Sequence, residues 1–246
     1  MPPTIPALRA RATVATALVA GRTAIPVLGS APPLTLRQTG PHTVHLVSTA
    51  AAPLGGDVLE LDVDVAAGTT LEVGSVAATV VLPGHGESAM LVTARVRAGA
   101  TLRFTPEPTV LAAGCSHRTG VRLVLEEDAR VFWREEIVFG RYGEAPGRCR
   151  GRFDATSGGR PLLRQEFAVG DPALDASPAV FAGARCVGTT LMTPDPAVGR
   201  REAVVGEGVA VLPLAGPGVL VSALAADAVE LRRRLAWGES AARTPL

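Results

Sequence analysis

A chain of 246 residues can bury a substantial hydrophobic core, as one large all-β domain or two small ones. Its net charge is +1 and all 24 basic residues are arginine, so it lacks the basic footprint expected of a nucleic-acid-binding protein. No apolar run approaches the roughly 20 residues of a membrane span. Three cysteines without a CxxC pair argue against a disulfide framework and favour a reducing compartment. We therefore expect a cytoplasmic protein that is not embedded in a membrane.

The N-terminal segment 10–20 alternates apolar and polar residues, as a half-buried strand does. The alternative is a weak signal peptide, because Arg9 and Arg11 precede an apolar stretch. That stretch is short and contains two threonines, so we favour the strand. A Pro/Gly loop then leads to a second predicted strand at 34–38.

The segment 55–65 combines a tight bend with strict alternation. Gly55 and Gly56 make the bend, and Asp57 begins an otherwise aliphatic face. The opposite face is acidic. The simplest interpretation of that face is exposure to solvent. The functional alternative is a negatively lined passage that holds divalent cations loosely. The residues of the acidic face are Val58, Glu60, Asp62 and Asp64.

Three central segments, 65–73, 96–104 and 125–133, repeat one pattern of strand, tight turn and strand. Bends with the same appearance recur 28 to 31 residues apart, and a period of this size is typical of stacked supersecondary units. We therefore predict a mainly β, solenoid-like or β-helical stack of short strands. One or two α-helices are expected toward the C-terminus. The bends at 68, 99 and 128 match in sequence as well as in spacing and carry the prediction, whereas the looser echoes at 40, 159 and 188 are discounted.

The C-terminal third is predicted to differ from the repeats. Residues 171–218 are rich in proline and glycine and are expected to be irregular. A strand at 219–223 and a helix at 225–237 follow, with Asp227 as N-cap and Gly238 as the stop signal. We expect a single domain over 1–246, made of repeated β units at 9–170, the irregular segment, and a strand plus helix at 219–238.

Enzyme signatures are absent from the sequence: it has no GxSxG, P-loop, HExxH or dinucleotide-binding fingerprint. His42 and His45 lie three apart in a strand-like segment and so point to opposite faces. Cys115 and His117 share a face but supply two ligands at most, too few for a closed metal site. His85 has no visible partner. We interpret these residues as ordinary surface or packing residues.

Glu135 is the unusual carboxylate. Alternation places it on the same strand face as Trp133, Ile137 and Phe139. A carboxylate on an apolar face requires a partner, water or a cation. The alternative is a bulged strand that exposes Glu135 to solvent, and the sequence does not decide between the two.

Several short motifs, taken in order over roughly residues 10–170, resemble the family of urease accessory proteins called UreD or UreH. The strand and helix at 219–237 resemble the C-terminus of that family. The motifs are Gly55–Asp57, Ala77–Thr79, Pro106–Pro108 with Gly114, Trp133–Glu135 running into Gly140–Arg141 with Gly143–Glu144, and Arg160–Leu163.

The resemblance implies a non-enzymatic role with no tightly bound cofactor. Members of the family form a complex with the accessory protein UreF and the GTPase UreG, and this complex docks on apo-urease. That complex delivers nickel, with Ni²⁺ in transit through an internal tunnel. Asp57 matches the acid of the family's Gly-Gly-Asp motif, and Glu135 matches its acidic position before the Gly-Arg pair. Glu60 falls near a family tunnel acid, so these three carboxylates are the expected nickel contacts.

The rival interpretation is a generic β-rich module that binds carbohydrate or protein and has no metal role. A carbohydrate-binding module needs exposed aromatic platforms, and the chain has only 6 Phe, 2 Trp and 1 Tyr.

Overall fold

The computed structural model describes residues 7–193 and 202–243. They form strands and two helices, in the order β1 Arg9–Val19, β2 Arg22–Gly29, β3 Leu34–Gln38, β4 Thr43–Ser48, β5 Val58–Val65, β6 Thr70–Ser75, β7 Thr79–Val81, β8 Ser88–Val96, β9 Thr101–Thr105, β10 Thr109–Leu111, β11 Ser116–Leu125, β12 Arg130–Val138, β13 Arg148–Ser157, β14 Arg160–Val169, α1 Pro172–Ala176, β15 Cys186–Met192, β16 Val204–Gly206, β17 Val209–Pro213, β18 Val219–Ala225 and α2 Ala228–Arg243.

Two sheets face each other. Sheet A has the order β14-β13-β11-β8-β5-β1-β2. Sheet B has the order β16-β17-β18-β15-β12-β9-β6-β4-β3, with β10 paired to both β12 and β7. The chain alternates between the sheets: a strand of sheet A, a tight bend, one or two short strands of sheet B, then the next strand of sheet A. Strands β5, β8, β11 and β13 therefore stack in parallel. The predicted solenoid is confirmed, with about four turns.

The three central bends stack directly on one another. Their third residues have positive φ: Gly68 at 68°, Gly99 at 63° and Asp128 at 55°. Glycine adopts this conformation without a steric penalty, and aspartate tolerates it better than most residues do. The amide of Gly68 donates to the carbonyl of Ala98 at 3.1 Å, and the amide of Gly99 to that of Glu127 at 3.0 Å. The sequence repeat thus corresponds to three similar turns stacked in register.

The three looser echoes, already discounted from their sequence, are not solenoid turns. Gly40 lies in the connection of the antiparallel pair β3–β4. Gly158 and Gly159, with φ of 55° and 75°, form the two-residue turn of the β13–β14 hairpin, which keeps the chain in sheet A. Gly188 lies inside β15, where a Cβ would be 2.7 Å from Leu235 Cδ1 of α2. The solenoid ends where β14 turns back.

The main core lies between the sheets. The alternation predicted for β5 is confirmed, because its apolar side chains are buried and its acidic ones face outward. Trp133 stacks on Phe104 with ring centroids 4.0 Å apart and meets the edge of Phe153 at 5.7 Å. Three aromatic residues thus form the centre of this core.

Two segments predicted to lack regular structure contain strands. The loop expected before β3 contains β2, which forms a hairpin with β1. The segment 171–218 contains α1, β15, β16 and β17, so the prediction of an irregular segment is wrong there. Strand β15 pairs with β12 and β18, both distant in sequence. Local composition underestimates such strands, because their pairing is decided by distant partners.

Helix α2 packs on the outer face of one end of sheet B, against β15, β17 and β18. Its start is confirmed, since Asp227 Oδ1 accepts a hydrogen bond from the Glu230 amide at 2.8 Å. Its predicted end is wrong, because Gly238 lies within the helix. A Cβ at Gly238 would be 2.5 Å from Val221 Cγ1, so this glycine permits close packing on β18. In the described ranges, no helix is both long and apolar enough to span a membrane.

Candidate functional site

A cavity of about 170 Å³ lies between the sheets, beyond the end of the aromatic core. Sheet A contributes side chains from β11, β13 and β14, and sheet B contributes β12, β15 and β18. The lining is mostly apolar with a few polar groups, as in ligand-accessible sites generally. Glu135 is its one carboxylate among the described residues. The lining also contains one basic residue, Arg152, and its other members include Thr119, Ile137, Phe153, Gln165, Phe167 and Phe181.

Strand β12 directs Glu135 into this cavity. The strand pairs with β15 in continuous register, with Glu135 opposite Thr189, so no bulge turns the side chain outward. Trp133, Ile137 and Phe139 on the same face are buried. The structure therefore confirms the inward-facing alternative left open by the sequence.

Burial raises the pKa of Glu135 to about 7, because the charged form loses water. The indole N–H of Trp133 opposes this shift in pKa, yet Trp133 Nε1 makes no hydrogen bond of normal geometry. Near pH 7 the carboxyl group is therefore poised between its neutral and ionised forms. A group in this state can exchange its proton for a cation.

Asp57, the second predicted nickel contact, is buried in a turn. Its Oδ1 accepts a hydrogen bond from the Leu8 amide and its Oδ2 one from the Leu54 amide, both at 2.8 Å. Gly55 approaches Gly84 so closely that a Cβ would be 2.5 Å from the Gly84 carbonyl carbon. The Gly-Gly-Asp motif thus joins the start of β1 to the bend before β5.

Glu60, the third predicted contact, lies on the outer face of sheet A with the other β5 acids. Asp62 forms an ion pair with Arg11, and Asp64 pairs with Arg97 at 3.0 Å. The acidic face is thus a solvated face matched by neighbouring arginines. The structure does not bring Asp57, Glu60 and Glu135 together. Within the described ranges, no three His, Cys, Asp or Glu side chains form a metal-binding group.

The other candidates are packing or surface residues, as expected. His117 is buried and its Nδ1 lies 2.8 Å from Ser88 Oγ. Burial lowers the pKa of His117 to about 4, so the ring is neutral near pH 7. Burial also raises the pKa of Cys115 to about 11 and that of Cys149 to about 12, which keeps both thiols protonated and unreactive. His45 contacts Thr39 at the surface.

Sequence reasoning missed the ion pairs beneath α2. Arg232 Nη2 donates to Glu107 Oε2 at 2.6 Å, and Arg232 Nε to Glu136 Oε2 at 3.1 Å. Arg134 holds the buried Glu239 with two hydrogen bonds. The partners lie 96 to 125 residues apart, so no local pattern links them. Two features of the sequence could have pointed to these ion pairs: Glu107 between two prolines, and the run of arginines at 232–234.

The chain matches the family model described as UreD urease accessory protein over residues 8–245. Proteins named urease accessory protein UreD are similar to it along most of their length. That of Parafrankia sp. (strain EAN1pec) is 46% identical, over 93% of this chain and 86% of its own. That of Frankia casuarinae is 44% identical, over 90% and 78%. UreD 1 of Saccharopolyspora erythraea is 40% identical, over 93% of each chain. The chain therefore belongs to the UreD family of urease accessory proteins.

Proposed function

We propose that this protein assists urease maturation without catalysing a reaction itself. It acts as the scaffold and conduit subunit of a complex with a UreF-type protein and a UreG-type GTPase, which delivers Ni²⁺ to apo-urease in the cytoplasm. Membership of the UreD family and the names of the relatives support the maturation role. The free, buried cysteines are in keeping with a reducing compartment.

The observation that carries the conduit role is Glu135 in the internal cavity. Carboxylate oxygens bind divalent cations, and one carboxylate without further charged ligands binds them weakly. Weak binding suits a cation in transit, because the ion must leave as readily as it enters. A pKa near 7 lets the arriving cation displace the proton at little cost.

Direct contact of Ni²⁺ with Asp57 and Glu60 stays a prediction. Both oxygens of Asp57 already accept backbone hydrogen bonds, and Glu60 faces away from the cavity. In the proposal Glu135 is therefore the principal contact, and Asp57 holds the turn that joins the start of β1 to β5.

The test is coexpression with a urease operon that lacks its own UreD. Glu135→Gln keeps the size of the side chain and removes the charge, so we expect nickel per urease and urease activity to fall about tenfold. Pull-down of the UreF-type and UreG-type partners should be unchanged, which separates conduction from assembly.

Glu127→Gln, the same change at an exposed turn, is the matched control. Asp57→Asn and Glu60→Gln test the two remaining predicted contacts. Nickel loading by Glu135→Gln equal to that of the unmodified protein contradicts the conduit role. If Glu135→Gln weakens the pull-down of the partners and leaves nickel loading unchanged, Glu135 has a scaffold role alone.

A further inference from the structure

A second concave site lies over the outer face of sheet A, and Thr119, Arg152 and Phe167 line both this site and the cavity. A groove of about 640 Å³ runs over β8, β11, β13 and β14 on the outer face of the sheet. Four arginines line it: Arg118 and Arg122 from β11, and Arg150 and Arg152 from β13. Strand register places Arg118 beside Arg150, so the side chains form a cluster across neighbouring strands.

Gly120 gives the groove its depth. It lies between Arg118 and Arg122 on β11 and opposite Leu91 of β8. A Cβ at Gly120 would be 3.0 Å from Leu91 Cδ2, so the missing side chain lets Leu91 lie low across the floor. The result is an apolar floor between cationic walls.

The positive charge of the groove is only partly neutralised. Arg152 is held by Asp154 at 2.6 Å and by Glu166 at 2.9 Å along the β14 side. Arg118 is 3.7 Å from Glu87. Within residues 7–193 and 202–243, Arg150 has no ion pair and is exposed. Arg150 therefore offers the groove a guanidinium group that no carboxylate of the described residues neutralises.

We propose that this groove docks a short, extended, acidic segment of a partner protein. Arginine binds carboxylates through paired hydrogen bonds. The apolar floor suits the uncharged side chains that alternate with the acids of an extended peptide. Docking here extends the proposed function by giving the accessory complex a second contact surface, and it does not depend on passage of nickel.

A nucleic acid fits the same surface poorly. Asp154 of β13, opposite Arg122, and Glu166 of β14 line the groove itself. The acidic face of β5 begins one strand beyond β8. A long polyanion crossing the groove would meet both. The cationic surface is thus short and bounded by negative charge, which matches a peptide with a few carboxylates.

The test measures binding of a fluorescein-labelled peptide of four Glu-Ala repeats to the full chain by fluorescence anisotropy, at low and moderate salt. Arg150→Gln should weaken binding about tenfold, as expected for loss of a charged hydrogen-bonding partner. Gly120→Val should weaken it comparably without changing charge, because the new side chain fills the groove floor. Arg22→Gln, an exposed arginine on β2, is the matched control and should bind as the unmodified protein does.

Thermal unfolding of each variant shows whether it is folded. If Gly120→Val does not fold, Arg150→Gln provides the decisive result, because Arg150 forms no ion pair with the described residues. Equal loss in Arg22→Gln overturns the proposal, because binding would then follow net charge alone. It is also overturned if a Gln-Ala peptide binds equally well, or if a single-stranded DNA of equal charge competes more strongly than unlabelled peptide.

Discussion

The two halves of strand β12 face very different interiors. Around Trp133 the sheets are closed by aromatic stacking, with Phe104 at 4.0 Å and Phe153 at 5.7 Å. Two residues later Glu135 faces a cavity of about 170 Å³. The first half gains dispersion contacts and the burial of large rings, whereas the second forgoes part of both. One strand thus contributes both to stability and to an internal site.

The end of the solenoid explains this difference. Near Trp133 strand β12 continues the stack, with β9 as its parallel neighbour. Near Glu135 the opposing wall is the β13–β14 hairpin, because the chain turns back at Gly158–Gly159 instead of crossing to sheet B. Phe167 lies so close to Gly151 that a Cβ there would be 1.9 Å from its ring. A hairpin wall does not repeat the layered packing, and space remains in front of Glu135.

The largest expected effect is at the closed half. Trp133→Ala should lower the free energy of unfolding by about 3–5 kcal/mol, because it removes a fully buried ring and its stacking partner's contacts. Urea unfolding followed by circular dichroism measures it. The control is the only other tryptophan, Trp237→Ala, which is 45% exposed and should cost about 1 kcal/mol or less. Equal losses at both positions would remove the distinction on which the comparison rests.

A pH-dependent effect is expected at the open half. In the unfolded chain Glu135 ionises near its ordinary pKa of 4.5, whereas in the folded protein it keeps its proton until about pH 7. Ionisation therefore favours the unfolded chain across this range. Relative to Glu135→Gln, the unmodified protein should lose roughly 3 kcal/mol of unfolding free energy as pH rises from about 4.5 to above 7, and no more beyond.

Urea unfolding at closely spaced pH values, with both proteins in the same buffers, gives the difference directly. Glu60→Gln makes the same chemical change on the outer face of sheet A. A pH trend of equal size in that control, or a flat difference for Glu135→Gln, would show that the cavity does not hold the carboxyl in its neutral form.

The smallest effect is expected at the boundary between the halves. Phe153 touches Trp133 on one side and lines the cavity on the other. Phe153→Leu should cost about 1–2 kcal/mol, because it loses the edge-on ring contact while the cavity lets its neighbours relax. Thermal unfolding measures the loss. A cost as large as that of Trp133→Ala would place Phe153 wholly within the closed core.

Much of the fold could be predicted from local pattern. The alternation of β5 identified its buried face, and the repeats around Gly68, Gly99 and Asp128 identified the stacked turns. Both depend on the conformations of neighbouring residues, which the sequence specifies directly. The candidate site was predicted only in part. Alternation put Glu135 on the apolar face of its strand but left a bulge that exposes it equally open. Grouping it with Asp57 and Glu60 as nickel contacts relied on resemblance, and the structure separates the three.

The sequence by itself determined the period of the solenoid, the buried face of β5 and the UreD family, because alternation, turn residues and short motifs are local. The inward direction of Glu135 was decided by the unbroken pairing of β12 with β15. Only the tertiary structure decided that Gly159 starts a hairpin, that Gly188 and Gly238 make room for packing of α2, and that Arg232 meets Glu107 and Glu136. It also decided that four arginines gather over Gly120. These features depend on residues brought together from distant parts of the chain, and a local pattern carries no record of such partners.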